Sequence, residues 1–293
     1  MKGLYCTLFL VLLGCSNKMP ESTAPSTKSE IFLSEYTPAG KLAHAGIFSP
    51  DEKSFYLTIS NSDFEKFDIL VSLLVNDHWS EPKPAFFNSE YNEHGIGFSS
   101  DGKTLFFSST RPVGIEGIPE TWHIWRCRKQ QNGWSEPEFV SLPGMETKLV
   151  SHPTLTKSGR MYFHSGSLDY SDLSLFYSDY KENQLSEVKP VVFLTEPNGI
   201  MITPFIAPDE TYLIFSQVIS QKEILLVSKK SPAGWSAPLP LLTQPEKANM
   251  SNPFISRNQD YLYYARGEND VNGSPTIWQI HRMKIKAEVY PFH

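Results

Sequence analysis

The chain lacks the features that mark several common protein classes. Its 26 Lys and Arg residues are outnumbered by 32 Asp and Glu residues, and no clustered basic face is present, which excludes a nucleic-acid-binding protein. No stretch has the length and 3.6-residue periodicity of a good helix, so we expect an all-β fold. The chain also has neither the G-x-S-x-G motif of a nucleophile elbow nor the H-E-x-x-H motif of a zinc helix.

Cysteine is scarce, with three residues in 293, and two of them lie in an apolar N-terminal segment. That segment ends in "LLGC" at 12–15, which resembles the bacterial lipobox. The resemblance implies that residues 1–14 are a lipoprotein signal peptide and that Cys15 becomes lipidated. Ser16 after that cysteine implies an outer-membrane lipoprotein. An ordinary secretory signal or a buried apolar N-terminus is the alternative.

The next stretch, residues 15–29, is polar and rich in Pro, Ser and Thr, which predicts a flexible lipidated tether. Cys127 would be the one remaining thiol of the mature chain, so no intramolecular disulfide is expected. We interpret Cys127 as a small buried hydrophobic residue.

Two motifs repeat with a common period along the rest of the chain. The best-preserved copy of the first is "FSSDGKTLFFSSTRP" at 98–112, and the apolar positions equivalent to Phe98 recur at intervals of 49 to 57 residues. The second, "WSEP" at 79–82, follows the same period as "WSEP", "LSEV" and "WSAP". Each unit divides into four short strands, which is typical of a β-propeller blade.

The first motif occurs five times, yet complete units number only four, because the fifth ends at its third strand. The strand-like "EIFLSEY" at 30–36 is the candidate for the missing fourth strand. Residues 30–293 are therefore predicted to form one all-β domain, a five-bladed β-propeller of four-stranded antiparallel blades. The N-terminal strand would join the last blade and close the ring, which removes exposed sheet edges.

The motif at 98–112, followed by "NGWSEPEFV", resembles the TolB-type, WD40-like propeller repeats of bacterial envelope proteins, which are often lipoproteins. The resemblance covers about residues 30–293. It implies a propeller in the periplasm or at the cell surface. It implies no particular activity, because propellers carry many functions. The third and fifth copies depart most, since Ser158 and Asn258 replace the turn Asp.

The innermost strands of a propeller line its central channel, so polar residues at their starts predict a ligand site at the channel mouth. Imidazoles that converge with a carboxylate can bind a transition metal or supply a general base. Hydrogen bonding to the backbone of a neighbouring blade is the alternative role. Metal binding stays open, and no cofactor is predicted. The predicted mouth residues are His44, Glu93, His94, His152, Thr203 and Asn252.

Two arginines, Arg111 and Arg266, begin the longest loops between second and third strands, and both are candidates for ligand contact. A guanidinium group can hold a carboxylate, sulfate or phosphate. For Arg111 we favour a structural role, in which it pairs with Glu116 or Glu120 of its own loop.

Two functions remain. The favoured one is a lipid-anchored, non-catalytic module that binds an envelope protein or glycan, attached to the membrane through its N-terminal lipid. The alternative is a polysaccharide-active or metal-assisted enzyme at the channel mouth. Glycosidases need two carboxylates across the pocket, and the aligned inner positions contain no acid. No catalytic residue is therefore assigned.

Overall fold

The computed structural model describes residues 29–182, 184–220, 222–242, 248–269 and 275–285. These residues form five antiparallel blades around a central channel, which confirms the predicted all-β five-bladed propeller. The signal peptide, Cys15 and the tether up to residue 28 lie outside the described residues, and they stay predictions. No described helix is long and apolar enough to cross a membrane.

Blades 1 to 5 follow the chain, and in each the strands run from the channel outwards. The inner strands are Leu42–Phe48, Glu93–Phe98, Leu149–Leu155, Ile200–Ile206 and Ala248–Ile255. The second strands are Ser54–Ser60, Thr104–Ser109, Arg160–Gly166, Tyr212–Ile219 and Tyr261–Asn269. The third strands are Phe67–Val75, His123–Gln130, Ser174–Lys181, Lys222–Ser231 and Pro275–Lys284.

The fourth strand of blades 1 to 4 is split into two short segments on either side of the Ser-Glu-Pro element, which is Ser-Glu-Val in blade 3 and Ser-Ala-Pro in blade 4. The first segments are His78–Trp79, Gly133–Trp134, Gln184–Leu185 and Gly234–Trp235. The second segments are Lys83–Pro84, Glu138–Phe139, Lys189–Pro190 and Leu239–Pro240. Between them, the motif serine accepts a hydrogen bond from a third-strand N–H, as Ser80 does from Leu73 at 3.0 Å. The motif therefore satisfies a donor that the split leaves unpaired.

The fourth strand of blade 5 is Glu30–Ile31, which pairs with Arg282 and His281. The Phe32 N–H extends the ladder to the Ile280 carbonyl at 2.8 Å, and a 3-10 turn, Ser34–Tyr36, follows. The side chain of Phe32 is buried between blades 5 and 1. The N-terminal strand thus closes the ring, as predicted.

The Ser-x-Asp turns between inner and second strands explain the first motif. Ser99 donates to the Asp101 carboxylate at 2.7 Å, and the Lys103 N–H donates to the same oxygen at 3.0 Å. These hydrogen bonds hold the pKa of Asp101 below its usual value. In blade 5 the Asn258 amide oxygen accepts the equivalent bond from Ser256 at 2.7 Å, so the departure from the motif keeps its chemistry.

The hydrophobic core consists of layers between neighbouring blades. Between blades 1 and 2 lie Phe87, Leu105, Phe107 and Cys127, of which Cys127 is fully buried. The thiol is therefore a packing group, as its sequence context indicated, and burial raises its pKa to about 12.

Candidate binding site in the central channel

The central channel widens into a funnel of about 600 Å³ that opens on the side of the inner-to-second-strand turns. Its walls are mainly apolar, and its rim carries charges of both signs. The wall residues include Ile47, Phe48, Ile96, Phe98, Leu155, Phe205 and Phe254. The charged rim residues are Glu52, Asp101, Lys157, Asp209 and Arg257.

The floor of the funnel is built from an irregularity that recurs in the inner strands. The antiparallel register shifts within each inner strand, which marks a β-bulge. In blades 3, 4 and 5 the bulged residues are His152, Thr203 and Asn252, with φ of 56°, 49° and 50°. Left-handed backbone costs a non-glycine residue about 1–3 kcal/mol, and most for a β-branched one such as Thr203.

Hydrogen bonds from the preceding blade hold these strained residues in place. The His152 N–H donates to the Ser108 hydroxyl at 3.0 Å, and the Thr203 N–H donates to His164 Nδ1 at 3.2 Å. The Asn252 N–H donates to the Thr203 hydroxyl at 3.3 Å. Each bulge is thus fixed by its neighbouring blade, and the three polar side chains line the base of a cavity whose walls are mainly apolar.

Blade 2 has glycine at the equivalent floor position. Gly95 has φ of 56°, and a Cβ atom there would lie 3.0 Å from Cα and Cγ of His152. The glycine is required twice, by the backbone conformation and by the close approach of the imidazole. Gly95 aligns with His152, Thr203 and Asn252 in the repeats. The need for glycine at this position becomes clear only from the bulge, which gives the backbone its positive φ.

Three further histidines, His44, His94 and His164, fill the narrow end of the channel below His152 and the funnel floor. The ring centroids of His94 and His152 are 4.3 Å apart, and those of His152 and His164 are 5.0 Å apart. The His44 ring packs against Phe64 and Trp278, and its Nε2 lies 2.7 Å from the Ser60 hydroxyl. Sequence reasoning missed His164, which belongs to a second strand and reaches the channel by pairing with Ser151.

All four imidazoles are held neutral at physiological pH. Desolvation lowers the pKa of His44 to about 3 and that of His152 to about 4. Burial, with neighbouring imidazoles as a further cause, holds the pKa values of His94 and His164 well below the ordinary value. The cluster therefore offers uncharged hydrogen-bonding groups. Among the described residues, no group of three His, Cys, Asp or Glu side chains is arranged to hold a metal ion.

The predicted mouth residues occupy three separate environments. His152, Thr203 and Asn252 line the funnel floor, whereas His44 and His94 lie in the narrow end of the channel below it. Alignment of the repeats could not separate these environments, because the bulge directs the side chains of consecutive residues to different sides of the strand. The funnel also opens at the ends of the inner strands, whereas the mouth was predicted at their starts.

Glu93 lies in the third environment, a buried ion pair within blade 2, and its partner is Arg111. The Arg111 guanidinium donates to Glu93 at 2.8 Å and to the Phe87 carbonyl at 2.7 Å. Glu93 is fully buried and also accepts a hydrogen bond from Ser109 at 3.1 Å. The structural role predicted for Arg111 is observed, but the predicted partners, the loop acids at 116 and 120, are wrong.

Arg266, the second arginine singled out from the sequence, lies in blade 5. Its guanidinium is 3.4 Å from the Glu268 carboxylate, and about 29% of its side chain is exposed. Arg266 is outside the funnel lining, so any ligand contact through it would be separate from the funnel.

These features define a five-bladed β-propeller with a funnel-shaped cavity at its centre. No family model matches the chain, and no curated protein shows a significant match. Among solved structures, the fold is similar to a putative TolB from Agrobacterium tumefaciens, with a TM-score of 0.51 and 13% identity over 84% of this chain and 91% of that one. It is also similar to a thermostable family-43 glycoside hydrolase, with a TM-score of 0.56 and 11% identity over 85% and 91% of the two chains.

A third similar structure, TolB from Acinetobacter baumannii, has a TM-score of 0.47 and 12% identity over 83% of this chain, which spans only 54% of that protein. At such identities the comparisons show the shared fold alone. The likeness to TolB that the repeat motifs indicated is therefore confirmed as a likeness of fold.

Proposed function

We propose that the protein is a non-catalytic binding module of the bacterial envelope that takes a group of its protein or glycan partner into the funnel. The observation that carries the proposal is the funnel floor, where three strained polar residues line the base of an apolar cavity. Strain of this kind persists only where the surroundings fix it, and it is concentrated at binding sites. Apolar walls with a few placed polar groups are typical of ligand pockets.

The distribution of acids favours binding over hydrolysis. Among the described lining residues, carboxylates occur only at the rim, at Glu52, Asp101 and Asp209. The one acid at the start of an inner strand, Glu93, is neutralised by Arg111 away from the cavity. A glycosidase needs two carboxylates that flank the scissile bond. The floor supplies neutral donors and acceptors instead.

The second candidate is a polysaccharide-active enzyme. The observation that favours it is the fold shared with a family-43 glycoside hydrolase over most of both chains. Incubation of the protein with a panel of plant and bacterial polysaccharides decides between the two. Release of reducing ends that depends on the rim acids would support the enzyme, and no release is expected.

Envelope location is part of the proposal, and it rests on the apolar N-terminus and its lipobox-like end. The full chain and its Cys15→Ser variant are compared by membrane fractionation and by radiolabelled palmitate incorporation. The native protein is expected in the membrane fraction with label, and the variant without label. A labelled Cys15→Ser variant would refute the anchor.

The binding function is tested by selection on the full chain from a random peptide library and a glycan panel. Leu155→Glu places a charge in the funnel wall, and Leu239→Glu makes the same change at an outer strand where Leu239 is 63% exposed. The native chain and Leu239→Glu are expected to enrich the same ligands, and Leu155→Glu to lose them. Equal enrichment by all three would overturn the funnel as the site.

A further inference from the structure

The end of the propeller opposite the funnel mouth carries a distinct surface, which we call the acidic loop face. Because the strands of each blade are antiparallel, the second-to-third-strand loops and the blade linkers meet at this end. The face comprises the loops of blades 1 to 3, which are fully described: residues 61–66, 87–92, 110–122, 141–148 and 167–173.

The loops of blades 1 and 2 touch each other. The Lys66 ammonium donates to the carbonyls of Ser89 and Tyr91, and Asn92 and Thr110 exchange hydrogen bonds at 3.1 Å. The Trp122 ring lies 6.2 Å from that of Phe67.

Contacts continue from blade 2 to blade 3. The Val150 N–H donates to the Trp122 carbonyl at 2.9 Å, and the Ser165 hydroxyl lies 3.5 Å from the sulfur of Met145. The face is therefore a continuous arc over three blades.

The exposed charges of this arc are all negative. Its three cations are only partly exposed: Lys66 lies 3.0 Å from Asp68, Arg111 is paired with a buried glutamate, and Lys148 is half-buried. The exposed carboxylates belong to Asp63, Glu65, Glu90, Glu116, Glu120, Glu146, Asp169 and Asp172. The opposite end differs, because exposed lysines such as Lys103 stand beside exposed aspartates there.

Large apolar side chains project from the same loops. Ile115 is 54% exposed, Leu168 and Tyr170 are each 47% exposed, and Tyr91 is 37% exposed. Apolar side chains rimmed by charges of one sign mark a protein-interaction surface, because water contact with them is relieved on docking. The negative charge of the face further favours a positively charged partner.

We propose that the acidic loop face docks a cationic amphipathic segment of a second protein. Lysine or arginine side chains of the partner meet the exposed carboxylates, and its apolar side chains cover Ile115, Leu168 and Tyr170. A polyanion or an anionic lipid surface would be repelled. This surface is independent of the funnel, so the protein has two faces for two interactions.

The test measures binding of a short amphipathic peptide of Lys and Leu to the full-length protein by fluorescence anisotropy. A Lys and Ser peptide of the same charge and a Glu and Leu peptide are the comparison probes. The Lys and Leu peptide is expected to bind tightest and to weaken with added salt, since exposed charges are screened beyond about 8 Å at 0.15 M salt. The Glu and Leu peptide is expected not to bind.

Two loop-face variants separate charge from apolar contact. Glu90→Gln/Glu116→Gln/Glu120→Gln removes charges, and Ile115→Ser/Leu168→Ser/Tyr170→Ser removes apolar groups. Each is expected to weaken binding of the Lys and Leu peptide about tenfold or more, or about 1.4 kcal/mol.

The matched controls lie at the outer strands, where the exposed motif glutamates are Glu81, Glu136 and Glu187. Glu81→Gln/Glu136→Gln/Glu187→Gln and Leu239→Glu are expected to bind as the native protein does. Equal binding of the Lys and Ser peptide, native-like binding by either loop-face variant, or loss in either control would overturn the proposal.

Discussion

The buried imidazoles of the channel make the propeller sensitive to acid. His44 and His152 are neutral in the folded protein, with pKa values of about 3 and about 4, against 6.5 for the free side chain. Both pKa values are depressed, so in the window below pH 6.5 the unfolded chain binds protons that the folded chain does not. Stability is then lost as the pH falls.

The loss is worked out for a change from about pH 7.5 to about pH 5. The lower pH lies about 1.5 units below the ordinary imidazole pKa, so protonation stabilises the unfolded chain by about 2 kcal/mol per residue. The two residues together cost about 4 kcal/mol, a large part of the stability of a typical domain. His94 and His164 shift in the same direction and add to the loss.

The assay is urea unfolding at both pH values, followed by tryptophan fluorescence. The double variant His44→Gln/His152→Gln is expected to lose about 4 kcal/mol less on acidification than the native chain. Comparison within each variant cancels the packing cost of the substitutions. His78 is exposed, and His78→Gln is expected to behave as the native chain does. An unchanged pH dependence in the double variant would refute the reasoning.

Three further substitutions test other features by urea unfolding. Gly95→Ala should lower the free energy of unfolding by about 2 kcal/mol or more, because the added Cβ meets the imidazole of His152 at 3.0 Å. Gly114→Ala, at φ of 73° in open space, should lower it by about 1 kcal/mol. Equal losses would argue against the close approach. Glu93→Gln breaks a buried ion pair and should lower the free energy of unfolding by about 3 kcal/mol. Glu138→Gln changes an exposed pair and should lower it by under about 1 kcal/mol. A loss near zero for Glu93→Gln would contradict the buried pair. Desolvation raises the pKa of Glu223 to about 7, so between pH 7 and 4.5 the folded chain binds this proton before the unfolded chain does and gains stability. Glu223→Gln should therefore lose about 2 kcal/mol more stability than the native chain on acidification. An equal loss would refute the raised pKa.

The sequence predicted the fold well because the propeller is built from local, repeated devices. The Asp101 turn and the Ser80 hydrogen bond each act within a few residues, so they appear as short motifs. Ring closure by residues 30–31 was predictable for the same reason, since a unit lacking one strand implies a strand supplied from elsewhere.

The site was predicted less well because it depends on the register between inner and second strands and on the bulge that interrupts it. Arg111 could reach two acids in its own loop, yet it pairs with Glu93 of the same blade, because Glu93 lies opposite Ser109 in the pairing of the inner and second strands. His164 reaches the channel because it lies opposite Ser151, beside the bulge at His152 of the same blade. Such contacts depend on the exact register between neighbouring strands, which no short motif encodes.

The central claim is that the funnel floor recognises a partner, and the most direct test is the affinity of the Asn252→Gly variant. Glycine accepts the φ of 50° without strain, so the backbone and the stability should be preserved while the floor loses its amide. Isothermal titration with the peptide or glycan that the native chain enriches most is expected to show binding weakened about tenfold or more, about 1.4 kcal/mol. Unchanged affinity in a stably folded Asn252→Gly variant would contradict the account.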